Sequence, residues 1–126
     1  MNLKDLLFSF RGRITRLQYF GGSLVLAVLA GLTTICWLLG VAMVLYSSTF
    51  AVFWLLELLV LTPALGIGTV WVAYALAVKR MHDRDRDWYF VLVGFLPLVG
   101  PIWLFVELQC LKGTVGPNRF GPDPLA

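Results

Sequence analysis

The distribution of charge along the chain constrains its fold more than any other feature of the sequence. Only 13% of the 126 residues are charged, and between Arg16 and Lys79 the single charged side chain is Glu57. A soluble domain carries about 25% charged residues. A chain of this length could not cover such an uncharged stretch with polar surface, whereas membrane lipid solvates it directly. The sequence therefore predicts an integral membrane protein with a single all-α domain.

The uncharged stretch has room for two membrane-spanning helices. A span needs roughly 20 residues, so three spans would leave none for the turns between them. Three spans would also place the cations before and after the stretch on opposite sides of the membrane, against the cytoplasmic preference of basic residues. We therefore predict two long antiparallel spans at residues 17–45 and 50–78, with an outer turn near Ser47–Thr49. The N-terminus and the polar loop at residues 79–87 are then cytoplasmic.

Glu57 lies on the second predicted span. It is separated from Lys79 by about 33 Å of helix at 1.5 Å per residue, which is one membrane thickness. We expect Glu57 at the outer interface, and a buried proton relay or ion site is the alternative.

A short amphipathic segment precedes the first span. Apolar residues from Leu3 to Phe10 follow the i, i+3, i+4, i+7 spacing of a helix, which predicts that residues 1–14 form an interfacial segment on the membrane surface. Thr15 and Gln18 then match a capping box, in which each side chain accepts a hydrogen bond from the other residue's backbone N–H. This motif predicts that the first span begins directly after Thr15.

The third apolar segment, residues 88–111, contains helix-breaking residues near its middle: Pro97, Gly100 and Pro101. Because proline removes a helical hydrogen bond, the segment is either a broken span or a re-entrant hairpin. We favour the broken span, which places Glu107 at the outer interface. The hairpin places Glu107 at the inner interface and returns the Gly/Pro-rich extended tail, residues 112–126, to the cytoplasm.

Three polar segments surround these apolar elements, at residues 10–20, 79–88 and 113–124. In this order they resemble the bacterial inner-membrane family known as domain of unknown function 805, and the resemblance covers essentially the whole chain. The most specific motifs are Lys-Arg-Met-His-Asp in the second segment and the Gly/Pro-rich third segment. Two departures are Phe20, where the family often has Trp, and the extra acid Asp87. The resemblance implies a bacterial inner-membrane location and supplies no activity.

Two interpretations of the polar segments are open. In the first, the loop after the second span neutralises its own charges at helical spacing. Asp83 then pairs with Lys79 or Arg86, and Arg84 pairs with Asp87. This loop is a structural turn on the cytoplasmic side.

In the second interpretation, cations from before the first span and after the second meet at the cytoplasmic interface and hold an anionic lipid headgroup. An antiparallel helix pair brings both groups to the same membrane level, and the planar guanidinium group suits phosphate. His82 and Asp83 would orient the arginines. The predicted lipid- or partner-binding residues are Arg11, Arg13, Arg80, His82, Asp83 and Arg84.

The sequence contains no Ser/His/Asp set, no P-loop and no Gly-rich dinucleotide turn. His82 and the neighbouring acids lack a second nitrogen or sulfur ligand at metal-site spacing, so we expect no catalytic residue, no metal and no cofactor. The leading hypothesis is a non-enzymatic inner-membrane protein that binds anionic lipid, a partner membrane protein or a second copy of itself, and no nucleic acid. The alternatives are a small oligomeric transporter or channel, and an enzyme that uses His82 on a lipid-linked substrate.

Overall fold

The computed structural model describes residues 3–46 and 51–125, and its regular elements over these residues are helices. A short N-terminal helix comes first, followed by two long helices, a 3₁₀ helix and a shorter apolar helix that ends in a π turn. Their bounds are Leu3–Phe8, Arg16–Tyr46, Ala51–Asp83, Trp88–Phe95 and Val99–Cys110. The predicted all-helical class is thus confirmed.

The first and second long helices are long and apolar enough to cross a membrane. In the most apolar 18-residue stretch of each helix, only 6% of the first helix and none of the second is buried inside the protein. Their apolar side chains therefore face outward. The prediction of two long apolar helices in this stretch is confirmed, and their crossing of the membrane stays a prediction. The second long helix runs on to Asp83, however, and so the predicted loop at residues 79–87 is helical over its first half. The predicted turn at Ser47–Thr49 lies outside the described residues.

The chain divides into two compact units, one of which is Leu24–Trp71. Within it, the backbone at Gly40 lies close to Trp54, since a Cβ atom at Gly40 would sit 3.1 Å from the Trp54 ring. Glu57 begins a π turn in the second long helix, is half-buried, and accepts a hydrogen bond from Thr62 at 2.9 Å. Its interfacial position stays a prediction.

The other unit combines Met1–Ser23 with Val72–Ala126. The predicted capping box is present at the start of the first long helix. The backbone N–H of Thr15 donates to Gln18 Oε1 at 2.9 Å, and the backbone N–H of Gln18 donates to Thr15 Oγ1 at 3.2 Å. The helix therefore begins where the sequence predicted.

We expect Thr15→Ala to lower the free energy of unfolding by about 1 kcal/mol, because it removes the acceptor for one orphan N–H. Gln18→Ala should act in the same direction. Equilibrium unfolding of both single variants and the double variant in mixed micelles measures their coupling. Strictly additive losses would contradict reciprocal capping.

Residues Trp88–Cys110 form a helical hairpin, not the broken span that we favoured. The 3₁₀ helix and the shorter apolar helix pack against each other. The chain reverses at Leu98, whose φ of 66° is unusual for a residue with a side chain. Gly100 follows directly, and a Cβ atom there would lie 2.9 Å from the carbonyl group of Gly94. The prolines signalled the break correctly, but the chain turns back at this point.

Candidate functional site

The end of the second long helix is the most buried part of the described chain. Every residue from Ala75 to Asp83 is buried. The apolar side chains of this segment form a core with Val91 and Leu108 of the hairpin. Phe10, which precedes the first long helix, packs against this core. The burial includes charged side chains, which must therefore find partners inside the protein.

Arg13, Arg80 and Asp83 form a buried charge cluster. Arg13 Nε donates to Asp83 Oδ1 at 3.1 Å, and Arg80 Nη1 donates to Asp83 Oδ2. The arginine side chains are 1% and 0% exposed, and that of Asp83 is 5% exposed. Two guanidinium groups share one carboxylate, so the charge cluster retains a formal charge of about +1.

Arg13 also holds the tail. Its Nη1 donates to the carbonyl oxygens of Gly116 at 2.7 Å and Gly121 at 3.4 Å, and its Nη2 donates to the carbonyl and hydroxyl oxygens of Thr114 at 2.7 and 3.2 Å. With the bond to Asp83, every N–H donor of this guanidinium has an acceptor within the protein. The guanidinium group of Arg13 therefore keeps no N–H donor for the lipid headgroup that the sequence predicted.

Arg80 binds the end of the hairpin. Its Nε donates to the Leu108 carbonyl at 3.0 Å and its Nη2 to the Leu111 carbonyl at 2.5 Å. These carbonyls lie at the end of a helix, where intrahelical donors are missing. Arg80 thus caps the hairpin, and it uses each of its three guanidinium nitrogens for a contact within the protein.

The tail docks on the carbonyl groups at the end of the second long helix. The Thr114 N–H and hydroxyl both donate to the Asp83 carbonyl, at 2.8 and 3.0 Å, and the Asn118 amide donates to the His82 carbonyl at 2.8 Å. Gly113 passes so close that an added Cβ atom would overlap the Asp83 carboxylate and lie 2.6 Å from its Cγ. Only glycine fits here without displacing the charge cluster.

His82 lies under the tail. Its ring stacks on Phe120 with centroids 4.0 Å apart and an interplanar angle of 5°, and its Nδ1 lies 3.3 Å from the Gly12 carbonyl oxygen. The residue is 8% exposed. His82 therefore joins the N-terminal segment to the tail and presents little surface to a substrate.

The charged side chains that follow Asp83 in the loop form ion pairs with the hairpin and the tail. These pairs contradict the first interpretation of the sequence, in which the loop neutralises its own charges. Arg84 and Arg86 both pair with Glu107 of the hairpin, at 2.6 and 3.3 Å. Arg119 of the tail pairs with Asp85 at 3.1 Å and Asp87 at 3.2 Å. The loop is thus neutralised by the hairpin and the tail.

Of the six predicted site residues, the structure brings Arg13, Arg80, His82 and Asp83 together. Arg84 lies at the edge of this group with Glu107, and Arg11 is exposed. Sequence reasoning missed the partners that the hairpin and the tail supply: Glu107, Gly113, Thr114, Asn118 and Phe120. One signal was available, since an acid in an apolar segment, such as Glu107, is usually paired with another polar or charged group.

Asp123 orders the end of the tail. Its carboxylate accepts hydrogen bonds from the backbone N–H of Leu125 at 2.9 Å and of Gly116 at 2.8 Å, and these bonds lower the pKa of Asp123. The stabilisation is present above the ordinary pKa of aspartate and is lost as the pH falls through the lowered value. Among the residues that the structure describes, no group of three His, Cys, Asp or Glu side chains is placed to hold a metal ion.

Similar proteins place this arrangement in a family. The chain is 33% identical to the inner membrane protein YhaI of Escherichia coli, over 91% of this chain and 85% of YhaI. It is 39% identical to the inner membrane protein YhaH of the same organism, over 52% of this chain and 53% of YhaH. It is 28% identical to the uncharacterized E. coli protein YiiR, over 98% of this chain and 90% of YiiR.

No solved structure matches the chain. The family model described as "Protein of unknown function (DUF805)" matches residues 7–122. This match covers nearly the whole chain, including the charge cluster and the docked tail. The protein is a membrane protein and belongs to the DUF805 family.

Proposed function

We propose that this protein is a non-enzymatic, multi-pass protein of the bacterial inner membrane that binds anionic phospholipid headgroups through its polar end. The polar end comprises residues 9–16, 79–87 and 107–125. In this proposal the N-terminus, residues 79–87 and the tail all lie in the cytoplasm, because most of the cations of the chain lie in these segments.

The dimensions of the hairpin support a cytoplasmic tail. The outgoing 3₁₀ arm, Trp88–Phe95, is about 16 Å long at 2.0 Å per residue, and the returning arm, Val99–Cys110, is about 18 Å long at 1.5 Å per residue. Both are near half of the roughly 30 Å hydrocarbon thickness. Glu107, near the end of the returning arm, forms ion pairs with Arg84 and Arg86, which lie just before the outgoing arm begins. The two arms therefore start and end at the same depth in the membrane.

The observation that carries the lipid proposal is the division of cations into buried and exposed groups. Internal partners hold the guanidinium groups of Arg13 and Arg80. Arg11, Arg16 and Lys112 are exposed and make no ion pair within residues 3–46 and 51–125. Arg16 donates one hydrogen bond to the Cys110 carbonyl at 3.1 Å, which leaves its charge without a counter-charge. A cation near an anionic membrane surface contributes about 1 kcal/mol. In this proposal Arg11 therefore keeps the role that the sequence predicted for it, and Arg16 and Lys112 take the place of Arg13 and Arg80.

The surroundings of His82 support a non-enzymatic role. Catalysis on a lipid-linked substrate would require an imidazole that reaches the substrate. The ring of His82 is instead covered by Phe120, and its Nδ1 faces a backbone carbonyl.

Lipid retention tests the proposal. In native mass spectrometry of detergent-extracted protein titrated with phosphatidylglycerol and phosphatidylcholine, we expect the parent to retain the anionic lipid preferentially. Each of Arg11→Gln, Arg16→Gln and Lys112→Gln should weaken this retention about fivefold, the equivalent of about 1 kcal/mol.

Arg119→Gln is the matched control. It removes an exposed cation whose charge Asp85 and Asp87 already neutralise, so it should leave lipid retention close to that of the parent. Equal retention of both lipids by the parent, or equal effects of all four substitutions, would contradict binding through the exposed cations.

A further inference from the structure

Two adjoining cavities open beside the start of the first long helix, and they differ in character. The first has a volume of about 260 Å³ and is bordered by Arg16, Arg80, Asp83 and Lys112. The second has a volume of about 450 Å³ and is bordered by Leu17, Phe20 and Gln109. Thr15, Arg16 and Leu125 border both, so the cavities form one groove with a polar half and an apolar half.

The polar half carries excess positive charge. Arg80 and Asp83 of the charge cluster border it, and the cluster carries a formal charge of about +1 because Arg13 shares the same carboxylate from behind the wall. Arg16 and Lys112 add two more cations. Asp123 is the opposing acid on this wall, and its carboxylate is held by the N–H groups of Gly116 and Leu125. A net positive cavity of this kind favours an anion.

The apolar half continues from the same cations onto the exposed apolar surface of the first long helix. Leu17 is 80% exposed and Phe20 is 52% exposed, on the first turns of a helix that is apolar enough to span the membrane. Leu125 borders the groove from the tail side and is 83% exposed. An anionic group with an acyl chain attached could therefore contact the cations of the polar half and the apolar side chains of the other half at the same time.

We infer that this groove binds one anionic glycerophospholipid, with its phosphate between Arg16 and Lys112 and an acyl chain over Leu17 and Phe20. This inference rests on the proposed function and narrows it from a charged surface to a single site. Leu125 is its diagnostic residue, because it lies in the tail and borders both halves of the groove.

Leu125→Asp tests the site. It places an acid at the junction of the two halves, where repulsion of the phosphate should weaken retention of phosphatidylglycerol about tenfold or more. Arg119→Gln changes the net charge by the same amount outside the groove and should leave retention unchanged. Thermal unfolding of both variants checks that the exposed substitutions leave the fold intact.

The probes in native mass spectrometry are diacyl phosphatidylglycerol, phosphatidylcholine and glycerol 3-phosphate. We expect one tightly retained phosphatidylglycerol that glycerol 3-phosphate does not displace. Retention by Leu125→Asp equal to that of the parent would overturn the groove while leaving the surface proposal intact. Displacement by glycerol 3-phosphate would overturn a lipid site in favour of a free-anion site. A parent that does not prefer phosphatidylglycerol would overturn the proposed function as well.

Discussion

Replacing Asp83 with Asn is expected to lower the free energy of unfolding by about 3–5 kcal/mol. The substitution keeps the shape of the side chain and removes the single negative charge that Arg13 and Arg80 share. Two guanidinium groups would then be buried without a counter-charge, which is the costly way to break a buried ion pair. Equilibrium unfolding in mixed detergent micelles, followed by tryptophan fluorescence, measures the loss.

Asp85→Asn is the matched control for this prediction. Asp85 lies two residues further along and pairs with Arg119, but its side chain is 46% exposed and that of Arg119 is 54% exposed. An exposed pair of this kind contributes about 1 kcal/mol or less. If the two substitutions had equal effects, the charge cluster would not be the centre of stability at the polar end.

Replacing Gly100 with Ala is expected to cost about 3 kcal/mol, at the upper end for overpacking. A Cβ atom at this position would lie 2.9 Å from the Gly94 carbonyl carbon and closer still to the Val93 carbonyl oxygen. Because these are backbone atoms, no rotamer change relieves the contact, and the arms of the hairpin must separate. The same unfolding measurement shows the loss, and trypsin should cleave the released tail faster.

Gly66→Ala provides the comparison for Gly100→Ala. An added Cβ atom at Gly66, in the second long helix, meets no atom within 4 Å. Alanine there should leave stability unchanged or raise it by about 0.5–1 kcal/mol, because alanine favours the helix. A tolerated Gly100→Ala would show that the two arms do not approach as closely as the hairpin requires.

The parts of the fold that depend on neighbouring residues were predictable from the sequence. The capping box at Thr15 and Gln18 spans one helical turn, so its side chains meet wherever the helix forms. The uncharged stretch likewise predicted two long helices, because length and hydrophobicity alone decide what can cross a membrane. The meeting of Arg13 with Asp83 followed from the antiparallel order that the sequence predicted for those helices.

The partners supplied by the hairpin and the tail depend on the direction in which the chain leaves Pro97. Proline and glycine mark a break in a helix, but they do not say whether the chain continues or returns. Since the chain returns, Glu107 reaches Arg84, and Thr114 reaches the Asp83 carbonyl. The sequence assigned Arg13 to lipid for the same reason, because it did not predict that tail carbonyl groups would accept hydrogen bonds from this side chain.

Cysteine accessibility tests most directly whether the hairpin returns the tail to the side of residues 79–87. Single cysteines at Ser48, Asp85 and Val115 would be introduced after replacing Cys36 and Cys110 with Ala. Val115 suits this purpose because it lies in the tail and is 97% exposed. A membrane-impermeant maleimide is then applied to spheroplasts and to inverted membrane vesicles.

We expect Ser48→Cys to be labelled in spheroplasts, and Asp85→Cys and Val115→Cys to be labelled only in inverted vesicles. That pattern would place the tail on the cytoplasmic side of the membrane, together with the end of the second long helix, which the tail contacts. Labelling of Val115→Cys but not Asp85→Cys in spheroplasts would contradict the re-entrant hairpin, and with it the polar end as a single cytoplasmic lipid-binding surface.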